Sequence, residues 1–376
     1  MPRVLVVGGG IGGLAAGIAL RQVGIAPVVV EQAGGLEAVG AGLALAANAV
    51  QALERLGVAD AIRGRGLRTD RLVALKTDGR PLIDLALEGR EMLGVHRAGL
   101  QEVLAKELGD ALRLGASCVG FRDEGDRVTM RLENGEELEG DVLVGADGLR
   151  SKSRAWLLDE GRPTYAGYTG WRAVTRFEHE SLRGRMTETW GRGVRFGLIP
   201  IGGGRLYWFV SESRPEPEAP LVPGRKQDLA RLVAGWHEPI EEALAATREK
   251  AISGTGIYWR KPTRTWGRGR VTLLGDAAHP MTPDLSQGAA QALEDAVVLA
   301  ASLRDAPDPV AGLRAYESAR RDRAAQVVKR SHAAGRLAQS SGALGAGLRN
   351  LLIGSLPNRL HGIQQARIVD TELPAL

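Results

Sequence analysis

Short continuous apolar runs alternate along the chain with longer stretches of helical periodicity, the rhythm of an open α/β sheet. Val4–Val7 and Ile25–Val30 are two such runs, and the segment from Leu14 to Val23 between them reads as a helix closed by Gly24. Asp141–Gly148 repeats the pattern of a strand buried on both faces. Val271–Leu274 does so again, and Gly275-Asp276 ends it, so a carboxylate is left at a strand's carboxyl end, where open α/β sheets bind ligands. Pro280 and Pro283 then forbid helix, Ser286 is placed to cap one, and Ala289, Leu293, Ala296, Ala300 and Leu303 recur with the helical period. A helix is therefore expected from about Gln287, and a longer one from Val310 to Arg336.

Between Tyr165 and about Tyr258 the texture changes to short strands: YTGWRAV, ETWGRGVRFGLIPI and GRLYWFVSES. Trp171, Trp190, Trp208, Trp236 and Trp259 fall in or beside this stretch, as expected of an aromatic sheet walling a pocket. RLVALKTDGRPLIDLAL, turning at Asp78-Gly79, interrupts the α/β rhythm and reads as a hairpin lent to that second sheet. Arg214–Pro223 reads as a surface loop and Gln227–Thr247 as a helix over one face. The expected organisation is a discontinuous nucleotide domain over 1–69, 90–164 and 259–330. A mostly antiparallel β domain covers 70–89 and 165–258, and a helical tail covers 331–376.

Gly8-Gly9-Gly10-Ile11-Gly12-Gly13 sits between the first strand and its helix as a G-x-G-x-x-G turn. Gly8 permits the tight turn, Gly10 admits a pyrophosphate, and Gly13 lets helix and strand approach. Glu31 ends the second strand, 18 positions past Gly13, where its carboxylate can take the hydroxyls of a ribose. Gln32 follows it. Gly40, Ala41 and Gly42 suggest a second close approach of backbone to ligand, and Arg97, at the start of a helix running to about Leu108, can pair with a phosphate. Asp147 and Asp276 are acids delivered at strand ends. In the first turn of the Gln287 helix, Gly288, Ala289 and Ala290 are small enough for a flat ligand to lie against N–H groups at the positive end of the dipole.

Composition narrows the classes. The 376 residues hold 49 Lys and Arg against 44 Asp and Glu, a net charge of +5, with 44% apolar residues. The excess is scattered arginine with no aromatic-interleaved basic run, which disfavours nucleic acid and suits anionic small molecules. A single cysteine, Cys118, excludes an intramolecular disulfide and offers no metal cluster, in keeping with a reducing cytoplasm. No apolar run is long enough for a bilayer span.

With GGGIGG, GADG and GDAAHPMTPDLSQGAAQALEDA in this order, the sequence resembles the single-component FAD-dependent aromatic hydroxylases of the para-hydroxybenzoate hydroxylase type. Through YAGYTGWRA, VRFGLIPIGGGRLYWF and MTPDLSQGAAQALEDAVVL it is most similar to bacterial urate hydroxylases and salicylate-hydroxylase-like monooxygenases. The resemblance implies an α/β fold: a three-layer, glutathione-reductase-type FAD domain, an inserted β domain and a long C-terminal helix. It also implies bound FAD and transient NADH or NADPH. Oxygen would reach a small aromatic or heteroaromatic ring through a flavin C4a-hydroperoxide, in a cytoplasmic monomer or homodimer. By the same resemblance Gly8, Gly10, Gly13 and Glu31 hold the ADP half, Arg97 approaches the pyrophosphate, and Asp147 belongs to a motif shared by FAD and the nicotinamide cofactor. Asp276 binds the ribityl chain, Pro283 and Gly288 flank the isoalloxazine, Ala289, also a cofactor-binding candidate, stands where those enzymes tend to carry a second glycine, His279 lies beside the flavin, and Arg195 and Tyr207 face substrate. A flavin reductase or dehydrogenase without oxygen transfer, and a flavin-binding redox sensor, remain the alternatives.

Overall fold

The computed structural model describes residues 2–36, 41–219, 221 and 224–376. A six-stranded sheet runs in the order Gly267–Arg268, Val271–Leu273, Val142–Gly145, Arg3–Val7, Ala26–Val30, Leu112–Arg113. All neighbours are parallel except the first pair. Its central strands are apolar throughout because both faces are covered. Helices α1 (Ile11–Gln22), α2 (Ala47–Arg55), α3 (Arg97–Leu108) and α4 (Gly288–Asp305) form one layer. A three-stranded antiparallel sheet, joined at Asn134-Gly135, packs into the same core through Val128, Met130, Leu132 and Leu138. This is the expected three-layer α/β fold.

A seven-stranded sheet follows the order Ser253–Trp259, Thr164–Arg176, Arg205–Ser213, Val194–Ile201, Arg185–Trp190, Arg71–Lys76, Pro81–Ala86. The last two strands are the Asp78-Gly79 hairpin, joined to the sheet by a parallel pairing of Arg71–Lys76 with Arg185–Trp190. Period-two alternation gives the sheet two different faces. Trp171, Ala173, Phe196, Leu198, Trp208 and Val210 pack beneath the short helices Lys226–Leu232 and Ile240–Ala245. Arg172, Val174, Arg195, Ile199, Tyr207, Phe209 and Ser211 are aligned on the other side.

Some boundaries depart from the pattern. Gln227–Thr247 is not one helix: Gly235, at φ +73°, and Pro239 break it. ETWGRGVRFGLIPI is likewise two antiparallel strands separated at Gly193, at φ +65°. Gly42–Leu45 is a strand paired with Leu93–His96 rather than part of a turn, while Gly40 lies outside the described residues. The tail continues α5 (Pro309–Ala338) into α6 (Ala343–Ser355) and α7 (Asn358–Val369).

Beneath α4 lies a buried polar network that no periodicity announces. Glu294 and Asp295 are both fully buried, and Arg320 of α5 donates from Nε to Asp295, 2.7 Å, and from Nη1 to Glu294, 2.5 Å. Arg323 adds two bonds to Glu294, and Asn48 of α2 donates to the same carboxylate at 2.6 Å. Asp295 also accepts the Gly275 N–H, 3.0 Å, and pairs with His279 Nε2, 2.6 Å. Burial alone would raise the Asp295 pKa, yet His279 and Arg320 hold it well below the ordinary carboxylate range.

Arg320→Met is expected to destabilise the fold by about 3–5 kcal/mol, because two carboxylates would stay buried without their partner. A urea midpoint series measures this. Since the folded pKa of Asp295 is depressed, its contribution is complete above the unfolded value of about 3.9 and is lost as pH falls below it. Asp295→Asn should therefore show a shallower loss of stability on the acid side than the parent protein.

Candidate active site

The turn between strand Arg3–Val7 and α1 has the geometry of a phosphate cradle. A Cβ on Gly13 would lie 1.9 Å from the Gly8 carbonyl oxygen, so only glycine lets α1 start against the strand. Gly8, at φ +111°, also passes close to the Ala146 carbonyl, whose oxygen would lie 2.5 Å from a Cβ there. At Gly10 nothing lies within 4 Å of that position, and the residue borders open space. Glu31 accepts from the Gly9 N–H at 2.7 Å and the Ala33 N–H at 2.9 Å, which fixes its carboxylate at the rim of the turn. Gln32 is exposed and does not border the cavity.

That space is a cavity of about 700 Å³ running from Gly10 and Gly12 past Arg97 and Asp276 to the seven-stranded sheet. Neither Arg97 nor Asp276 has a side-chain hydrogen bond or ion pair among the described residues, and both are exposed to the open space of the cavity. Burial and the neighbouring Arg172 press the Arg97 pKa down, and burial pushes the Asp276 carboxyl up against the pull of His279 and Arg97. The Gly288 Cβ position would be 3.8 Å from Asp276 Oδ1, so the acid lies at the first turn of α4. Ser286 does not cap this helix: it takes a left-handed conformation at φ 52°, and Gln287 is the N-cap residue without a side-chain bond to the turn. Gln287 instead joins Asn48 in the buried network. No side chain therefore caps α4 where Gly288, Ala289 and Pro283 border the cavity. A cation, an acid and an uncapped helix N-terminus around a glycine-lined opening fit an elongated ligand with both phosphate and polar-chain segments.

The opposite wall is the second sheet. Tyr207 reaches it because Gly42 has no side chain; a Cβ there would be 2.4 Å from the tyrosine's. Burial raises the Tyr207 pKa, while Arg172 and Arg97 draw it down, so the phenol is a neutral donor. Trp208 points away and bonds Thr247 at 2.8 Å. Arg195 is on the cavity face as well, but its guanidinium is committed. It donates from Nε to Gln339, 2.8 Å, from Nη1 to Glu188, 2.9 Å, and from Nη2 to Asp284, 2.6 Å. Tyr168 completes Asp284's contacts at 2.7 Å.

Two other residues differ from expectation. Asp147 turns from the cavity and accepts from Ser151 Oγ, 2.5 Å, and the Ser153 N–H, 2.9 Å, while its neighbours Ala146 and Gly148 border the opening. His279 is buried beneath the loop against Asp295 and Trp266 rather than on the cavity wall. The unanticipated members are Arg172, whose buried Nε has no partner among the described residues, and the α7 residues His361, Gln364 and Ile368. The arginine was visible in YTGWRAV, where alternation puts it opposite Trp171; nothing local marks α7.

This cradle, opening onto an apolar sheet wall, defines a nucleotide-binding α/β protein with further space beside the nucleotide turn. The FAD binding domain family matches residues 1–331, and the chain belongs to it. It is 42% identical to the aurachin C monooxygenase/isomerase of Stigmatella aurantiaca, over 93% of each chain. The FAD-dependent urate hydroxylase of Klebsiella pneumoniae is 34% identical, over 87% of this chain and 88% of the other. The crystal structure of Klebsiella pneumoniae HpxO with FAD and uric acid superposes with a TM-score of 0.91 at 30% identity, covering 98% and 96% of the chains. The protein is an FAD-dependent monooxygenase, and the glycine cradle, Arg97, Asp276 and the α4 N-terminus suit that cofactor.

Gly10→Asp is expected to abolish FAD binding by placing a carboxylate in the cradle's open space. Arg97→Ala should weaken it roughly tenfold to hundredfold, the loss of a charge-assisted hydrogen bond of about 1.5–3 kcal/mol. Titration of the apoprotein with FAD, followed by flavin fluorescence, reads both, and unaltered affinity in Arg97→Ala would remove that residue from the cofactor site.

Proposed function

We propose that the protein hydroxylates a small aromatic or heteroaromatic ring, with NADH or NADPH as electron donor and O2 as the oxygen source. The observation that carries this reading is the continuity of one cavity from the FAD cradle to a wall of Met186, Ile199, Tyr207, Phe209 and Leu285. Bound FAD supplies electron transfer and oxygen activation. The chain's own residues do the rest. The N–H groups of Gly288 and Ala289 favour negative charge at the inner end of the cavity. The apolar wall excludes water, which protects reactive oxygen species from unproductive decay. The Tyr207 hydroxyl donates a hydrogen bond to a polar ring substituent, and Arg172 attracts an anionic one.

Arg195 acts in this reading as a positioning residue. It ties strand Val194–Ile201 to Asp284 in the Pro283–Leu285 turn and to Gln339 at the end of α5. Gly335 makes the approach possible, since a Cβ there would be 2.3 Å from Asp284 Oδ2. The turn that borders the cofactor and the sheet that borders the substrate are thereby held in register.

A screen of urate, salicylate, hydroxybenzoates, hydroxypyridines and quinolones for stimulated NADH or NADPH oxidation tests the activity. Ring hydroxylation stoichiometric with oxygen uptake is expected; reduction of a substrate with no oxygen incorporated would favour a reductase. On the responding substrate, Tyr207→Phe should raise KM roughly twofold to tenfold, the loss of one neutral hydrogen bond of about 0.5–1.5 kcal/mol, with FAD content unchanged. Arg195→Lys keeps the charge and loses the fork. It should divert turnover to H2O2 while KM moves little, and tight coupling in that variant would refute the positioning role.

A further inference from the structure

The two C-terminal helices are inverted relative to a water-facing surface. On α6 the buried positions are Ala346, Arg349 and Ile353, while the outward positions are Leu344, Leu348, Leu351 and Leu352. Leu344 is 91% exposed and Leu351 68%, and Leu356, Leu360 and Ile363 extend the same apolar surface into α7. A soluble helix places polar residues on that stripe. Single exposed leucines need no explanation, but a run of seven along two consecutive helices does.

Charge indicates what covers it. No aspartate or glutamate occurs between Asp322 and Asp370, whereas Lys329, Arg330, Arg336, Arg359 and Arg367 are all exposed in that span. A second cavity, of about 680 Å³, opens beside α6 along Ala343, Ala346 and Gly347. It carries Lys76 and Arg192, which have no ion pair among the described residues, and Arg80, which is paired with Asp78. A second copy of this chain would oppose cation to cation. An anionic bilayer complements both features, taking leucines at the acyl boundary and arginines at the headgroups.

Position adds a third point. α7 lies over the edge strand Pro81–Ala86, with Asn358 Oδ1 accepting from the Asp84 N–H at 3.3 Å. Its inner residues His361, Gln364 and Ile368 share the cavity wall with Leu72, Ile83 and Leu85 of the hairpin. One helix thus separates the cavity from the apolar outer surface.

We propose that α6 and α7 dock the protein on anionic phospholipid membranes, and that its substrate is a ring with an apolar substituent, drawn from the bilayer past α7. The second half rests on the cavity's assignment as the substrate site; the first does not. The test uses the FAD-loaded, full-length protein with sedimenting vesicles of phosphatidylcholine alone or mixed with phosphatidylglycerol. Binding is expected to the mixed vesicles only, and to weaken as salt rises. Leu344→Glu/Leu348→Glu/Leu351→Glu should lower partitioning by at least about tenfold, and Arg359→Glu/Arg367→Glu by a similar factor. FAD content and thermal midpoint should hold in both, since these side chains are exposed. No binding to mixed vesicles, or equal binding by the leucine variant, overturns the docking proposal. So does a parent dimer that the leucine variant converts to monomer without any vesicle binding. If docking holds but vesicle-dissolved alkyl-substituted rings are turned over no faster than their unsubstituted parents, the substrate half fails alone.

Discussion

Two carboxylates and an arginine buried at one helix contact hold the cofactor side of this molecule together. Arg320 ties α5 to α4 through Glu294 and Asp295, and Asp295 reaches on to Gly275 and His279 at the start of the loop that presents Asp276. Such a contact is expensive to desolvate and is tolerated because both carboxylates and the guanidinium are partnered. Its return is in geometry. The loop between strand Val271–Leu273 and α4 contains two prolines and a left-handed serine, so its position must be set by contacts from beneath.

Placing both halves of the site depends on one loop. Asp276 and Gly288 stand at its cofactor side, and Asp284 takes the Arg195 guanidinium and the Tyr168 hydroxyl at the other. The sheet contributes through alternation alone: Trp208 fills a core while Tyr207 and Phe209, one residue to either side, form a cavity wall. Glycines at 42 and 197 provide the space that those two rings occupy.

Much of this was legible in the sequence because it is local. The glycine spacing, the acid ending the second strand, the apolar run before Asp276 and the small first turn of α4 are each determined within a few residues; Gly10, Arg97, Asp276 and Gly288 border one opening, while Gly8 and Gly13 shape the turn beside it and Glu31 bonds that turn's Gly9 N–H. The faces of strand Arg205–Ser213 also followed from period two. What failed was local as well: Ser286 had the right chemistry for a cap, but the backbone turns left-handed there and the N-cap falls one residue later.

The sequence by itself determined the sheet rhythm, the nucleotide turn and the family, since those are written in spacing that the backbone must obey. Only the tertiary structure decided what long-range partners make of a side chain. Arg195 is a clamp because Asp284 and Gln339, distant in the chain, converge on it beside Glu188 of the neighbouring strand, whereas Arg172 Nε has no partner among the described residues. The tail's role was undecidable for the same reason. Its leucines repeat with a helical period that suits either a buried or an outward face, and which of the two they take depends on Arg349 turning inward to the Ala338 and Gly191 carbonyls.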